Sequence, residues 1–442
     1  MLELVLGKDW TANTGRVLSM IAEDVRNRQG NRILLVPELI SHDMERRLCM
    51  AAGDTASRYA EVLTFTRLVR RVAEDGGSGI PECLDNGGRV VAMAAAARQL
   101  HSKLKVYAAL ETKPEVLTQL LDAVDEFKRC CITADDLRIA SRMSEGVLAQ
   151  KLEELSLLLE AYDALCSRGK LDPRDQMNWV LEQLEDGDFS QKSVFYIDGF
   201  PDFTRQHMAI LEHFIRNSPK VTVSLNCDIP NSRALAFEKA GQTAAQIIKL
   251  AQRAGVPYKI TLVEGTAGPL RPVCDCIFQG KIMPQAGISD RLRLRRAESV
   301  YQECLSAAQN VLNLVRSGCR YRDISLVCTD MNTFRPVIGM VFRRHGIPVY
   351  LSGTDDILGK GAIMTVVTAI EAVLDGFDRQ SVFRYLRSPL SPISQQTCDR
   401  MENYASIWGI TGNRWLEPWT YHPDGLAGVR TEWSSHRLEE LE

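Results

Sequence analysis

Long hydrophobic runs are missing from this sequence. It holds no stretch of about 18 apolar residues, so no membrane-crossing helix is expected. No basic leader precedes an apolar stretch at the start, where acidic Glu3 and Asp9 stand instead. No secretory signal is expected there, and the cytoplasm is the expected compartment. Cysteine pairs at zinc-knuckle spacing are missing as well: twelve cysteines are present and none forms C-x-x-C. Cys274-Asp275-Cys276 is too closely spaced for a knuckle and has no second half. No metal or cluster ligand is expected, and the cysteines read as free thiols in a reducing compartment. Excess charge is small, at −3, so composition alone does not mark a binder of nucleic acid. Internal repeats and low-complexity tracts are also missing.

What is present is enough apolar material, 45% of 442 residues, for sizeable cores in two to four domains. Charge is segregated along the chain. Residues 291–350 carry ten arginines against four acids, and residues 111–165 carry twelve acids against six bases. That fits one surface facing a polyanion, and it fits two ordinary domains equally well.

The first 75 residues read as alternating strands and helices: Leu2–Leu6, a helical run Val17–Val25, Arg32–Pro37, a helix Glu38–Met50, Glu61–Thr66, and a helix Arg67–Glu74. Such alternation predicts a parallel sheet. From 85 to 185 strand signals stop, and Leu148, Leu152, Leu155, Leu158, Tyr162 and Leu165 recur at helical spacing. Strands resume at Ser193–Asp198 and Lys220–Leu225. A Gly/Pro-containing stretch, Gly265–Gly287, ends this part. A second α/β unit is expected to follow: helix Glu298–Arg316, strand Ile324–Cys328, a helix around Phe334–His345, and strand Ile347–Leu351. Beyond 360 the chain reads as helical.

Gly7-Lys8-Asp9-Trp10-Thr11-Ala12-Asn13-Thr14 lies between the first strand and first helix, where a phosphate-binding loop belongs. The template G-x-x-x-x-G-K-S/T uses glycines to turn backbone N–H groups toward phosphates, lysine to reach them, and Ser/Thr to hold magnesium. Gly7 and Thr14 fit. Ala12 replaces the second glycine and Asn13 replaces the lysine. Asp198, ending an apolar strand, sits where the magnesium-binding acid belongs. Active helicases follow that acid with a glutamate; here Gly199 follows. Broken loop, two strands, helical insertion, then strand-Asp is the layout of a superfamily-1 helicase core. The fold class expected is therefore α/β and superfamily-1 helicase-like. It comprises two RecA-like parallel-sheet domains with helical insertions, and its P-loop NTPase site is degenerate.

Five ordered strings make the resemblance specific. Ile33-Leu-Leu-Val-Pro-Glu38 with Met44-Glu45 and Leu48 resembles the V-P-E-Q…E-x-x-L segment of the AddB/RexB family, the B subunits of bacterial helicase–nucleases. Val62–Val72 resembles its S-F-x-R-L-x-x-R-V segment, and Tyr196–Thr204 its D-G-F-x-x-F-T. Arg320–Ile324 with Gly346-Ile-Pro348 resembles R-Y-x-D-I…G-I-P. Glu402-Asn-Tyr404, Gly409-Ile410 and Gly412–Trp415 resemble E-N-Y…G-I-x-G-x-x-W.

The resemblance implies a helicase-like chain that does not itself translocate. It would hold single-stranded DNA and scan it for a Chi-type signal during recombinational repair of double-strand breaks. An AddA/RexA-type helicase–nuclease would carry the motor and complete the heterodimer. Double-stranded DNA would be the other nucleic-acid partner, and no membrane contact is implied. Family chains are much longer, so this one is expected to be an N-terminal fragment without the nuclease domain and its four-iron–four-sulfur cluster. No cofactor is expected here: ATP and magnesium would lack both the lysine and the glutamate. Gly7, Ala12, Asn13, Thr14 and Asp198 would then be a vestigial nucleotide site, with no catalytic residue among them. The expected domains are 1–75 with 190–287 (first RecA-like), 76–189 (helical insertion), 288–375 (second RecA-like, first part) and 376–442 (a further helical insertion).

The resemblance assigns DNA contacts to Ser41, Phe65, Arg67, Phe200 and Phe203. Arginine pairs with phosphate or guanine, and phenylalanine offers a face for base stacking. Each phenylalanine has an alternative in core packing, and Arg67 in plain solvation. The family's glutamine is Leu39 here, which implies either a different recognised sequence or none. Two rival functions remain open: an active superfamily-1 ATPase, and a purely structural module gripping the motor chain.

Overall fold

The computed structural model describes residues 1–107, 113–265, 270, 273, 292–351, 357–426, 428–429 and 431–439. The Cys274–Cys276 pair and most of the Gly265–Gly287 stretch lie outside the described residues. The chain divides into two compact units, Met1–Arg293 and Leu294–Glu442.

The first unit is built on six strands: β1 (Leu2–Leu6), β2 (Arg32–Leu35), β3 (Ala60–Leu63), β4 (Val194–Ile197), β5 (Val221–Leu225) and β6 (Tyr258–Leu262). All pair in parallel, in the order β3-β2-β4-β5-β1-β6. Their near-continuous apolar runs follow from burial on both faces. Alternate residues divide between two cores. Leu2, Leu4, Leu6, Ile33, Leu35, Phe195, Ile197, Val221 and Val223 face one side, and Val5, Leu34, Val36, Val62, Val194 and Tyr196 the other. The edge strand β6 was not legible as a strand: its Tyr258, Ile260 and Leu262 are substantially exposed, so no burial pattern marks it. Glu3, acidic within the interior strand β1, is buried but paired with Lys220 at 2.9 Å and Thr261 Oγ1 at 2.8 Å.

Helix α1 (Trp10–Arg26) and α2 (Ser41–Ala52) cover one face through Val17, Ile21, Met44 and Leu48. Helix α3 (Phe65–Gly76) covers the other, beginning where a continuation of β3 was expected. Thr64 stops the strand by capping α3, its side chain accepting from Arg67 N at 3.2 Å.

Between β3 and β4 the described residues hold the helices α4 (Asn86–Gln99), α5 (Pro114–Arg129), α6 (Ala134–Arg142) and α7 (Gly146–Cys166) of the segment read as an insertion. Leu158 and Tyr162 are buried in its core and Leu152, Leu155 and Leu165 pack at its margin, but Leu148 is exposed. The chain segments that enter and leave the insertion pair through Leu84 N to Leu171 O (2.9 Å) and Leu171 N to Glu82 O (2.8 Å). Beside this neck, Arg89 bonds Asp125 and Tyr162 donates to Asp172 at 2.6 Å, all four being buried. The next helix, α8 (Gln176–Asp186), packs Val180 and Leu184 into the core of the sheet, as do the short α9 (Phe189–Lys192), α10 (Arg205–Asn217) and α11 (Glu238–Arg253) with their own apolar residues.

In the second unit α12 (Val300–Arg316) and α13 (Met331–Arg344) form where helices were expected and share a core of Cys304, Ala308, Val311, Ile338 and Phe342. The segments 324–328 and 347–351, expected as strands, join no sheet among the described residues. Val327 and Tyr350 are 88% and 91% exposed. A strand exists only through a neighbour's ladder, and neither segment has one here. Helices α14 (Gly361–Leu374), α15 (Arg379–Leu386), α16 (Gln395–Trp408) and α17 (Glu432–Glu439) follow. Tyr404 stacks on Trp419 at 4.9 Å beside Phe383 and Cys398. The described cysteines are free.

Phe214 of α10 is fully buried and stacks on Phe195 of β4 at 3.8 Å. Phe214→Ala is expected to cost about 3–5 kcal/mol in urea unfolding of the first unit.

Candidate nucleotide and nucleic-acid sites

The broken loop is a tight turn. Only Gly7, Lys8 and Asp9 separate β1 from α1, so Trp10, Ala12 and Asn13, loop positions in the template, are helical. Asp9 caps the helix: its Oδ1 accepts from Thr11 N at 2.9 Å and Ala12 N at 3.3 Å. Helix N-termini bind anions through such N–H groups. Here a carboxylate of the chain itself accepts from them.

Asn13, in the lysine's position, is fully buried and points back into the sheet. Its Nδ2 donates to Gly7 O at 3.0 Å and to Leu225 O at 3.2 Å, tying the ends of β1 and β5. With its amide oriented to satisfy both partners, Asn226 also donates to Gly7 O (2.9 Å) and Lys8 O (3.1 Å). The carbonyls of the turn are thus engaged from within. A side chain at Gly7 would place its Cβ 2.3 Å from Asn13 Oδ1 and 2.7 Å from Val263 O, so glycine is required by this packing. The chain leaving β6 closes the other side, Val263 N bonding Leu6 O at 2.7 Å and Gly265 lying against Asp9.

The structure brings Thr14 and Asp198 together: Thr14 Oγ1 donates to Asp198 Oδ2 at 2.6 Å. Asp198 is 1% exposed, and burial pushes its carboxyl above the usual range despite Thr14 and Ser224. Gly199 explains the absent glutamate. Its φ is +83°, and a Cβ there would lie 2.8 Å from Ile40 Cδ1. A glutamate at this position would be strained by that φ and would require Ile40 to shift.

The second set of predicted residues lies at the carboxyl ends of three strands that are neighbours in the sheet, β3, β2 and β4. Their loops therefore adjoin, as ligand-binding loops of open α/β sheets do. Phe65 and Phe200 meet edge to face at 5.5 Å, and Phe200 and Phe203 at 5.2 Å. Phe200 and Phe203 are half-buried, whereas Phe65 is buried beneath them. Ser41 is also buried, its Oγ donating to Glu38 O at 3.1 Å, so it braces the turn after β2. Arg67 is 44% exposed and pairs with Glu45 at 2.7 Å. Leu39 is 94% exposed at the tip of that turn.

Three contributors were not anticipated from sequence. Asp9 was readable, since aspartate before a helical run is a capping signal. Asn226 and His207 carried no signal. His207 stacks on Phe65 with centroids 3.9 Å apart and planes 8° from parallel. Burial lowers its pKa from 6.5 to about 4, with Asp202 opposing. Among the described residues no group of three His, Cys, Asp or Glu side chains could hold a metal ion, and no helix is long and apolar enough to cross a membrane.

A parallel sheet with a strand–turn–helix in the nucleotide position, its loop filled by its own side chains, defines a RecA-like, helicase-like α/β protein. A family model described as ADDB, N-terminal matches residues 4–270. The chain belongs to the AddB family. It is 29% identical over 441 residues to the ATP-dependent helicase/deoxyribonuclease B subunit of Desulforudis audaxviator, covering 95% of this chain and 38% of that one. It is 26% identical to the protein of the same name from Thermoanaerobacter sp. (95% and 38%), and 24% identical to that of Clostridium perfringens (100% and 40%). The chain thus spans about two fifths of the length of these relatives.

Because His207 is held neutral, the unfolded state binds a proton more readily between pH 6.5 and about 4. Its contribution to stability is present above pH 6.5 and is lost as pH falls through that window. His207→Phe, which keeps the stack on Phe65, is expected to flatten this acid limb by up to about 3 kcal/mol, read from urea unfolding at a series of pH values.

Proposed function

We propose that this chain is the helicase-like, non-motor part of the B subunit of a helicase–nuclease. It would grip and inspect single-stranded DNA while an AddA/RexA-type partner hydrolyses ATP. The complex would act in the cytoplasm on double-strand breaks destined for recombination. The observation that carries the reading is the filled nucleotide loop: Asp9 holds the anion position and Asn13 bonds to the sheet, facing away from any phosphate. An active ATPase would need a cation there and a carboxylate at Gly199, and both positions are taken up by packing.

The adjoining loops after β2, β3 and β4 support a single-strand site. Leu39, Arg67, Phe200 and Phe203 would meet the strand, and Phe65, Ser41 and His207 would support them from below. Arg67 would exchange Glu45 for a phosphate, a charge-assisted contact of similar strength. Leu39 has no hydrogen-bonding group, so it would select by apolar contact, as with a thymine methyl.

Titration of labelled single-stranded oligonucleotide should give an affinity that falls steeply with salt. Phe200→Ala should weaken it by about 1–3 kcal/mol, the worth of one stacked base. No binding at low salt by a folded chain would favour the assembly module instead.

A further inference from the structure

The loop after β4 carries Phe200 and Phe203, and it runs into a residue that breaks a local rule. Arg205 is the first residue of α10, and the first turn of that helix holds no acid. The positive end of the helix dipole disfavours a cation there. Helix α6, by contrast, opens with Asp135 and Asp136, as the dipole favours. Arg205 is exposed, so core packing does not account for it. A residue set against its local preference without a packing reason marks a place to look for function.

The backbone around Arg205 is firmly held. Thr204 caps α10, its side chain accepting from His207 N at 3.2 Å. Gln206 is buried and donates to Arg174 O at 2.9 Å, and His207 is stacked on Phe65. Arg205 is thereby fixed beside the cluster of Phe65, Phe200 and Phe203.

The acids in this neighbourhood are committed elsewhere. Asp202, in the same loop, pairs with Lys239 of α11 at 2.6 Å. Asp136 accepts from Thr133 N at 2.8 Å and from Thr133 Oγ1 at 2.7 Å. These bonds hold its carboxyl below the usual range, and the charge of Arg205 adds to the effect. Among the described residues no ion pair closes on Arg205. The arginines around it are paired: Arg67 with Glu45, Arg71 with Glu61 and Arg174 with Asp125. The Arg174–Asp125 pair and the Gln206 bond already join the insertion to α10, so that task does not need Arg205.

We propose that Arg205 takes a backbone phosphate of the single strand whose bases stack on Phe200 and Phe203. This rests on the single-strand reading above and deepens it. A cation beside aromatic faces is the combination that holds single strands without regard to sequence. The guanidinium fork matches phosphate oxygens. Arg67 has to give up Glu45 before it can meet a phosphate. Arg205 has no such bond to break, so it makes the first electrostatic contact.

The test uses the 442-residue chain and a fluorescein-labelled oligo-dT strand, with anisotropy followed across a salt series. One phosphate contact contributes about 0.7 to the slope of log affinity against log salt, so Arg205→Gln should lower the slope by about 0.7. Arg205→Lys, which keeps the charge, should restore it. Arg216→Gln removes an exposed arginine from the far end of the same helix, where it pairs with Glu212, and should leave the slope at the wild-type value. Should Arg205→Gln melt early by circular dichroism, Arg205→Met keeps the straight stem and serves with the same expected fall. A slope unchanged by these variants, or lowered equally by Arg216→Gln, overturns the proposal. An unchanged slope together with equal loss of melting temperature in Arg205→Gln and Asp136→Asn would assign Arg205 to holding the insertion instead. Absence of any wild-type binding at low salt overturns the single-strand reading itself, a different outcome from an unchanged slope.

Discussion

The carboxylate of Asp9 at the N-terminus of α1 is the contact on which the rest of this site depends. A phosphate-binding loop works by leaving backbone N–H groups free and aiming them at an anion. Asp9 caps the amides of Thr11 and Ala12, and such a cap is worth about 1 kcal/mol to the fold. Once the turn is shortened and capped this way, the helix starts at Trp10, and the lysine position turns inward. Asn13 then suits that position better than a lysine would, because it spans to Gly7 and Leu225 without a charge to bury.

The same logic runs through the other half of the site. Asp198, at the end of β4, meets Thr14 of α1 through a hydrogen bond from the threonine hydroxyl. Gly199 is held in a left-handed conformation against Pro37 and Ile40, the turn that carries Leu39. Gly199 therefore packs against the turn that carries Leu39.

Much of this was legible from residue order alone. The buried strands at Leu2–Leu6, Arg32–Leu35, Val194–Ile197 and Val221–Leu225 announce themselves because both faces of a parallel sheet are covered. Thr14 and Asp198 were paired by position, 184 residues apart in sequence. What was not legible depended on tertiary neighbours. Edge strand β6 is half-solvated and lacks the apolar signature. The segments 324–328 and 347–351 have the composition of strands, but a ladder needs a partner that composition cannot supply. Ser41 and Phe65 carry the right chemistry for DNA, yet they lie under the surface because α2 and α3 begin there. Asp9 had an available signal, and its consequence, a carboxylate bonded to the first amides of α1, emerged only with the geometry.

The proposed filling of the nucleotide position by the protein itself is tested most directly by calorimetric titration of magnesium-ATP into the 442-residue chain. A filled site predicts no saturable heat and no phosphate release. A dissociation constant near micromolar, about −8 kcal/mol of binding, would contradict it.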